Sequence, residues 1–184
     1  MLMGKKVSVR HVLEEDLPEL LSQINDLEGR GDYSSKLMRA PMQFQKSFEE
    51  NGLSSEKFEM LAIVDGQSRL VGNLVHLPTR AYTRTRELGY RIFSPNLWGQ
   101  GYATEAVTLL VDYLFENRTL NRLEICMDPR NRASERIAQK CGFRHEGTMR
   151  GQVFYAGSYA DAHLYGLTRA DWAMRGNFSP TLSA

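Results

Sequence analysis

The chain has 184 residues, enough for one domain with a tail at a soft prior of about 150 residues per domain. Hydrophobic residues make up 42% and charged residues 24%, which excludes disorder along the whole length and supplies apolar matter for a core. The 23 Lys and Arg against 22 Asp and Glu leave a formal charge of +1, so no broad electrostatic footprint for nucleic acid is expected.

The opening Met1-Leu2-Met3-Gly4-Lys5-Lys6 has no hydrophobic signal core. No apolar run approaches the ~18 residues a membrane helix needs. Cys126 and Cys141 are too few for a disulfide framework or a zinc cluster and read as small core residues. The expectation is a soluble cytoplasmic domain without a structural metal. Residues 5–11 alternate around Val7 and Val9 as a short strand. Residues 14–25 carry Leu17, Leu20, Leu21 and Ile24 on one helical stripe, with Glu14, Glu15 and Asp16 in the first turn and Pro18 near the start. Residues 26–57 lose the pattern at Gly29, Gly31 and Asp32. They include a helix over 41–50, ended by Asn51-Gly52, in a region read as mobile or substrate-facing.

Phe58–Val64 and Leu70–Leu77 form a hairpin around the Asp65-Gly66 turn. A polar loop over 79–86 follows, with Arg80, Tyr82, Arg84 and Arg86, then a strand over 87–93. After Gly99-Gln100-Gly101 a helix places Ala103, Ala106, Val107, Leu110 and Leu114 on one face. Leu123–Met127 is a strand. Asn131 caps a helix with Ala133, Ile137, Ala138 and Cys141 inward, and Gly142 ends it. Phe143 starts another strand, 162–168 is the closing strand, and 173–184 is a polar tail. Hairpins first and βα units later predict one mixed α/β sheet with helices on both faces.

The Gly99-Gln100-Gly101 turn joins a strand to an amphipathic helix. Glycines permit the tight turn, and the unpaired N–H groups and dipole at the helix start favour a phosphate. The alternative is a strand–turn–helix with glycines for geometry alone. No Gly-Lys-Ser/Thr follows, and Thr104 stands where a dinucleotide fingerprint needs its third glycine.

Asn96-Leu97-Trp98-Gly99-Gln100-Gly101-Tyr102-Ala103-Thr104 resembles the acetyl-CoA loop of the GCN5-related N-acetyltransferases, Gln/Arg-x-x-Gly-x-Gly/Ala, with Asn96 departing from the usual first residue. Asn131-Arg132-Ala133-Ser134, 30 residues after Gly101, resembles that family's Asn-x-x-Ser helix, and Gly142-Phe143 its following strand start. Gly157-Ser158-Tyr159-Ala160-Asp161 is similar to the closing strand of the RimJ/RimL subgroup. The resemblance covers residues 5–172. It implies the acyl-CoA N-acyltransferase fold, a single mixed, mostly antiparallel sheet, with an acetyltransferase domain over 1–172. It also implies acetyl-CoA as co-substrate, a protein N-terminal amine or a small amine as acceptor, and dimers by analogy.

On that resemblance, cofactor contacts fall on Arg91, Ile92, Phe93, Trp98, Gly99, Gln100, Gly101, Tyr102, Ala103, Thr104, Asn131 and Arg136. The strand Arg91-Ile92-Phe93 is also expected to splay from its neighbour and to supply an oxyanion N–H. Glu87 is the candidate general base, or else a solvated charge paired with Arg86 or Arg91. The tyrosine that many relatives place seven residues after the Asn is Ala138 here, which leaves Ser134 as the candidate acid or a commonplace helix serine. Tyr82, Tyr155, Tyr159 and Asp161 are candidates for the amine pocket. His11, His76, His145 and His163 show no metal spacing. The missing tyrosine also keeps a non-catalytic acyl-CoA-binding module in view.

Overall fold

The computed structural model describes residues 1–33, 36–155 and 157–175. The Tyr155 side chain and residues 176–184 of the expected tail lie outside the described residues. One mixed sheet of eight strands organises the rest, in the order β1-β2-β3-β4-β5-β6-β8-β7. The strands are β1 (Leu2–Met3), β2 (Val7–His11), β3 (Glu59–Asp65), β4 (Leu70–Pro78), β5 (Thr85–Ile92), β6 (Arg122–Met127), β7 (Arg144–Tyr155) and β8 (Ser158–Thr168). Every neighbouring pair is antiparallel except β5–β6, which is parallel. A parallel pair needs a crossover, and helix α3 (Tyr102–Asn117) supplies it.

The helices divide between the faces. Helices α1 (Leu17–Asn25) and α2 (Pro41–Asn51) cover one face through Leu17, Leu20 and Phe44, packed with Val12, Met60, Ala62 and Phe93. Helices α3, α4 (Arg132–Lys140) and α5 (Arg169–Ala173) cover the other through Val107, Leu110, Leu114, Ala138 and Trp172. Val107, Leu110, Val111, Leu114 and Phe115 of α3 are fully buried, as expected of a crossover helix laid on a sheet.

Several sequence expectations change. The β7–β8 hairpin is longer than read, and β8 begins at Ser158 rather than 162. Strand β8 inserts between β6 and β7, so the chain does not continue as adjacent βαβ units. Ala133 is exposed because it sits in the first turn of α4, before the helix reaches the core. Arg86 is not a loop residue. It is buried in β5, where its Nη2 donates to the Glu56 carbonyl at 2.8 Å. The polar reading of 173–184 begins after Trp172, whose buried indole donates to Asp112 Oδ1 at 2.7 Å. No described helix is long and apolar enough to cross a membrane.

Candidate active site

Strands β5 and β6 share only three paired positions, Thr85–Arg122, Arg86–Leu123 and Glu87–Glu124. Beyond Glu87 they part, because β6 continues against β8 while β5 continues against β4. The result is a fork whose β5 edge is unpaired over residues 88–92. Main-chain groups alternate from edge to edge along a strand. The Arg84 carbonyl accepts from Asn121 N–H on the β6 side, whereas Phe93 N–H donates to the Val71 carbonyl on the β4 side. Tyr90 and Ile92 therefore turn their main-chain groups into the fork, and Arg91 and Phe93 do not. The Ile92 carbonyl accepts from the Trp98 indole at 2.9 Å, which leaves the Ile92 N–H facing the opening.

This corrects the expected strand contacts. Of the three, only Ile92 turns its main chain into the fork. The Phe93 N–H is spent on β4, and its ring is buried against the α1–α2 layer. Arg91 sends its guanidinium to the Gln23 carbonyl of α1 at 2.6 Å. Trp98 is about half exposed at the mouth of the fork, tied down by its indole N–H.

The glycine turn closes the far end. Gly99 and Gly101 adopt φ of 74° and 87°, the left-handed region open to glycine at little cost. A Cβ at Gly99 would meet nothing within 4 Å, so this backbone conformation is not forced by crowding. Tyr102, Ala103 and Thr104 open α3 with N–H groups that have no intrahelical acceptor. Glu105, in the same turn, fastens this end of α3 to the β1–β2 turn by accepting from Lys5, Lys6 and Val7 N–H at 2.6, 2.8 and 3.0 Å. Gln100 is held twice, its amide donating to the Asn96 carbonyl and its own carbonyl accepting from Lys6 Nζ, both at 2.6 Å. An open strand edge leading to a rigid, N–H-rich helix start fits a pantetheine arm followed by a pyrophosphate.

Glu87 stands on the last rung before the strands part, half-buried on the α1–α2 side of the sheet. Burial, with Glu124 beside it on β6, pushes its carboxyl above the ordinary value, and a hydrogen bond from Cys126 opposes the rise. Cys126 is thus not the core residue expected. Alternation along β6 puts it on the Glu87 face, where burial and the two carboxylates push its thiol up to about 12. Glu124 is held at the same time by Arg122, whose Nε lies 2.7 Å away and whose guanidinium also pairs with Glu146. Cys141, by contrast, is buried in the core as expected.

Asn131 caps α4 by accepting from the Ser134 N–H at 3.1 Å. Ser134 Oγ lies 2.7 Å from the Tyr90 hydroxyl, which reaches over from β5. Arg136 is exposed on α4. The proposed acceptor residues lie farther out. Tyr82 is 83% exposed in the 79–84 loop. Tyr159 is 74% exposed and meets the Phe154 ring edge-on in the β7–β8 hairpin. Asp161 accepts from the Gly151 N–H at 2.9 Å, within that hairpin. By strand alternation Tyr159 and Asp161 share the Tyr165 side of β8, which packs on α4, and not the face that carries Glu87. Sequence reading missed Tyr90, Glu124 and the Glu87 side of Cys126. The alternation around Glu87 and Leu123 held the signal for all three, but the partners are set by register.

Comparison with known proteins agrees with this geometry. The model of the acetyltransferase (GNAT) domain matches residues 6–144. The chain is 27% identical over 183 residues to the probable N-acetyltransferase YjcK of Bacillus subtilis, covering 93% of this chain and 98% of that protein. It is 34% identical over 89 residues to the putative ribosomal N-acetyltransferase YdaF of the same organism, 48% of each chain. Several curated relatives, YdaF among them, are matched over about half of their length. The fold superposes on spermidine N-acetyltransferase from Vibrio cholerae, solved in complex with CoA and spermine, with a TM-score of 0.80 at 17% identity over 92% of this chain and 99% of that one. The chain belongs to the acetyltransferase (GNAT) family and is an acetyl-CoA-dependent N-acetyltransferase.

Proposed function

We propose that this enzyme passes the acetyl group of acetyl-CoA to the α-amine of a protein N-terminus, such as that of a ribosomal protein, with Glu87 as general base. The observation that carries the reading is the placement of Glu87, half-buried at the point where β5 and β6 part. A carboxylate lifted by burial and by Glu124 is a stronger base than a solvated one. It suits an α-amine near 7.7–8.0 better than an alkylammonium near 10.4, because less of the deprotonation is left to the enzyme. The Ile92 N–H, turned into the fork, is the donor to the thioester oxygen as it gains charge. Ser134 is the donor to the departing sulfur. Residues 99–104 receive the pyrophosphate, and Arg136 reaches for the 3′-phosphate. The exposed Tyr82 and Tyr159 are rim residues fit for an extended peptide. The name of YdaF supports this acceptor class.

A second reading has its own observation. Glu87 and Glu124 are register partners on one face of the sheet, and two adjacent carboxylates suit a small polycationic amine. The fold shared with the spermidine enzyme accords with it. The experiment is thiol release from acetyl-CoA with a panel of ribosomal-protein N-terminal peptides, polyamines and aminoglycosides. Turnover on peptides alone supports the first reading, and turnover on polyamines alone replaces it with the second. Binding of acetyl-CoA with no turnover on any amine overturns both and favours an acyl-CoA-sensing role.

A further inference from the structure

Tyr90 lies three residues past the last β5–β6 rung. Its main chain faces the fork, and its side chain leaves on the α3–α4 side of the sheet. There the hydroxyl sits 2.7 Å from Ser134 Oγ and 3.2 Å from the Ser134 carbonyl oxygen. The contact ties β5 to the first turn of α4 across the fork. Ser134 is thereby held from two sides, by Tyr90 at its hydroxyl and by Asn131 at its N–H.

A phenol has one proton to give. If it goes to the Ser134 carbonyl, the serine proton is spent on the phenol oxygen. If it goes to Ser134 Oγ, the serine O–H is released toward the fork. Burial pushes the Tyr90 hydroxyl well above its ordinary value, so it stays a neutral donor through the working range. Cys141, the other titratable group beside it, is likewise raised by burial.

We propose that Tyr90 is a positioning residue for the leaving group: it donates to Ser134 Oγ and so turns the serine O–H onto the CoA sulfur as the C–S bond breaks. This rests on the reading of Ser134 given above. The amine lone pair forms the C–N bond, and the C–S electron pair goes to sulfur. The surplus amine proton goes to Glu87. The thiolate is held by the serine hydrogen bond until solvent protonates it, so neither hydroxyl ionises. Two donors in series polarise one another, and a bond to an anionic acceptor is stronger than a neutral one.

The test uses CoA itself as the probe and needs no acceptor. CoA labelled with 13C at the carbon next to sulfur is bound to the protein, and its thiol is titrated by NMR against pH, a signal to which the protein's own cysteines and tyrosines do not contribute. The bound CoA thiol is expected below the value of free CoA. Tyr90→Phe is expected to raise it by roughly 0.5–1 pH unit, the worth of one hydrogen bond. Ser134→Ala raises it more, and adding Tyr90→Phe to Ser134→Ala has no further effect. Turnover of Tyr90→Phe falls about five- to tenfold with KM for acetyl-CoA within about twofold. Replacing the Tyr90 side chain by 3-fluorotyrosine, a more acidic phenol of nearly the same size, is expected to lower the bound thiol value, and this variant serves if Tyr90→Phe folds poorly. A bound thiol unmoved by Tyr90→Phe and by fluorination, but shifted by Ser134→Ala, overturns the role of Tyr90 alone. Additive shifts also overturn it. A thiol unmoved by Ser134→Ala removes the donor role of Ser134 and the inference with it.

Discussion

Two glutamates of the same sheet, Glu59 on β3 and Glu87 on β5, lie on polar seams of an otherwise apolar fold and are driven in opposite directions. Glu59 Oε2 is 2.9 Å from His76 Nε2 and accepts from Arg118 Nη2 at 2.9 Å, and its carboxyl is pushed down to about 2, chiefly by the His76 imidazole beside it. His76 is completely buried, and desolvation lowers its own value, so Arg118 carries the balancing charge. Glu87 has Glu124 and Cys126 for company, pairs with no cation among the described residues, and its carboxyl moves up. Burial opposes charge at both places, and the partners decide the outcome. The first arrangement cements a closed β3–β4–β5 seam against the end of α3. The second keeps a base where the sheet is open.

That contrast can be broken from either side. Glu59→Gln leaves Arg118 and Arg86 without their carboxylate and is expected to cost about 3–5 kcal/mol of stability, read by denaturant unfolding, while the fork is untouched. The same contrast sets the acid limit. The Glu59 carboxyl is depressed in the folded state, so its contribution is present above its ordinary value of 4.5 and is lost as pH falls from there toward about 2. Acid unfolding of the wild type should therefore steepen in that window, and Glu59→Gln should flatten it.

Glu87→Gln should do the reverse. Turnover falls by roughly 10²–10³-fold for loss of a general base, whereas melting temperature holds or rises, because a carboxylate destabilised by burial is removed. A loss of stability without a loss of turnover would place Glu87 with Glu59 as a structural residue. Gly101→Ala has a smaller effect. It forces a side chain to φ of 87°, at a cost of about 1–2 kcal/mol, with only Lys6 Nζ nearby at 3.5 Å. The expected result is a raised KM for acetyl-CoA with little change in kcat. Glu124→Gln is the mildest. It removes one charge that raises Glu87, so the acid limb of the kcat/KM profile moves to lower pH and the plateau stays within about threefold.

Local chemistry made much of this legible in advance. Gly99-Gln100-Gly101 before an amphipathic helix, Asn131 as a cap, and Gly52 and Gly142 as helix ends with φ of 64° and 71° are all properties of short segments. So are the hairpin at Asp65-Gly66 and the burial of Leu110 and Leu114. The reading failed where the outcome depended on which strand lies alongside. Arg86 reads as a solvated loop charge because its buried neighbours, Glu59 and the Glu56 carbonyl, are some 30 residues away in sequence. Phe93 reads as a cleft donor because edge parity is invisible until one strand partner is known.

Sequence alone determined the family, the α/β class and the helix start that fits a pyrophosphate, because glycine dihedrals, helix caps and hydrophobic periodicity act over a few residues. The tertiary structure decided where β5 leaves β6, that Glu87 stands on the last shared rung beside Glu124 and Cys126, and that Tyr90 reaches Ser134. Those facts depend on strand register and on contacts between residues as much as 44 positions apart, and no local preference encodes such distances.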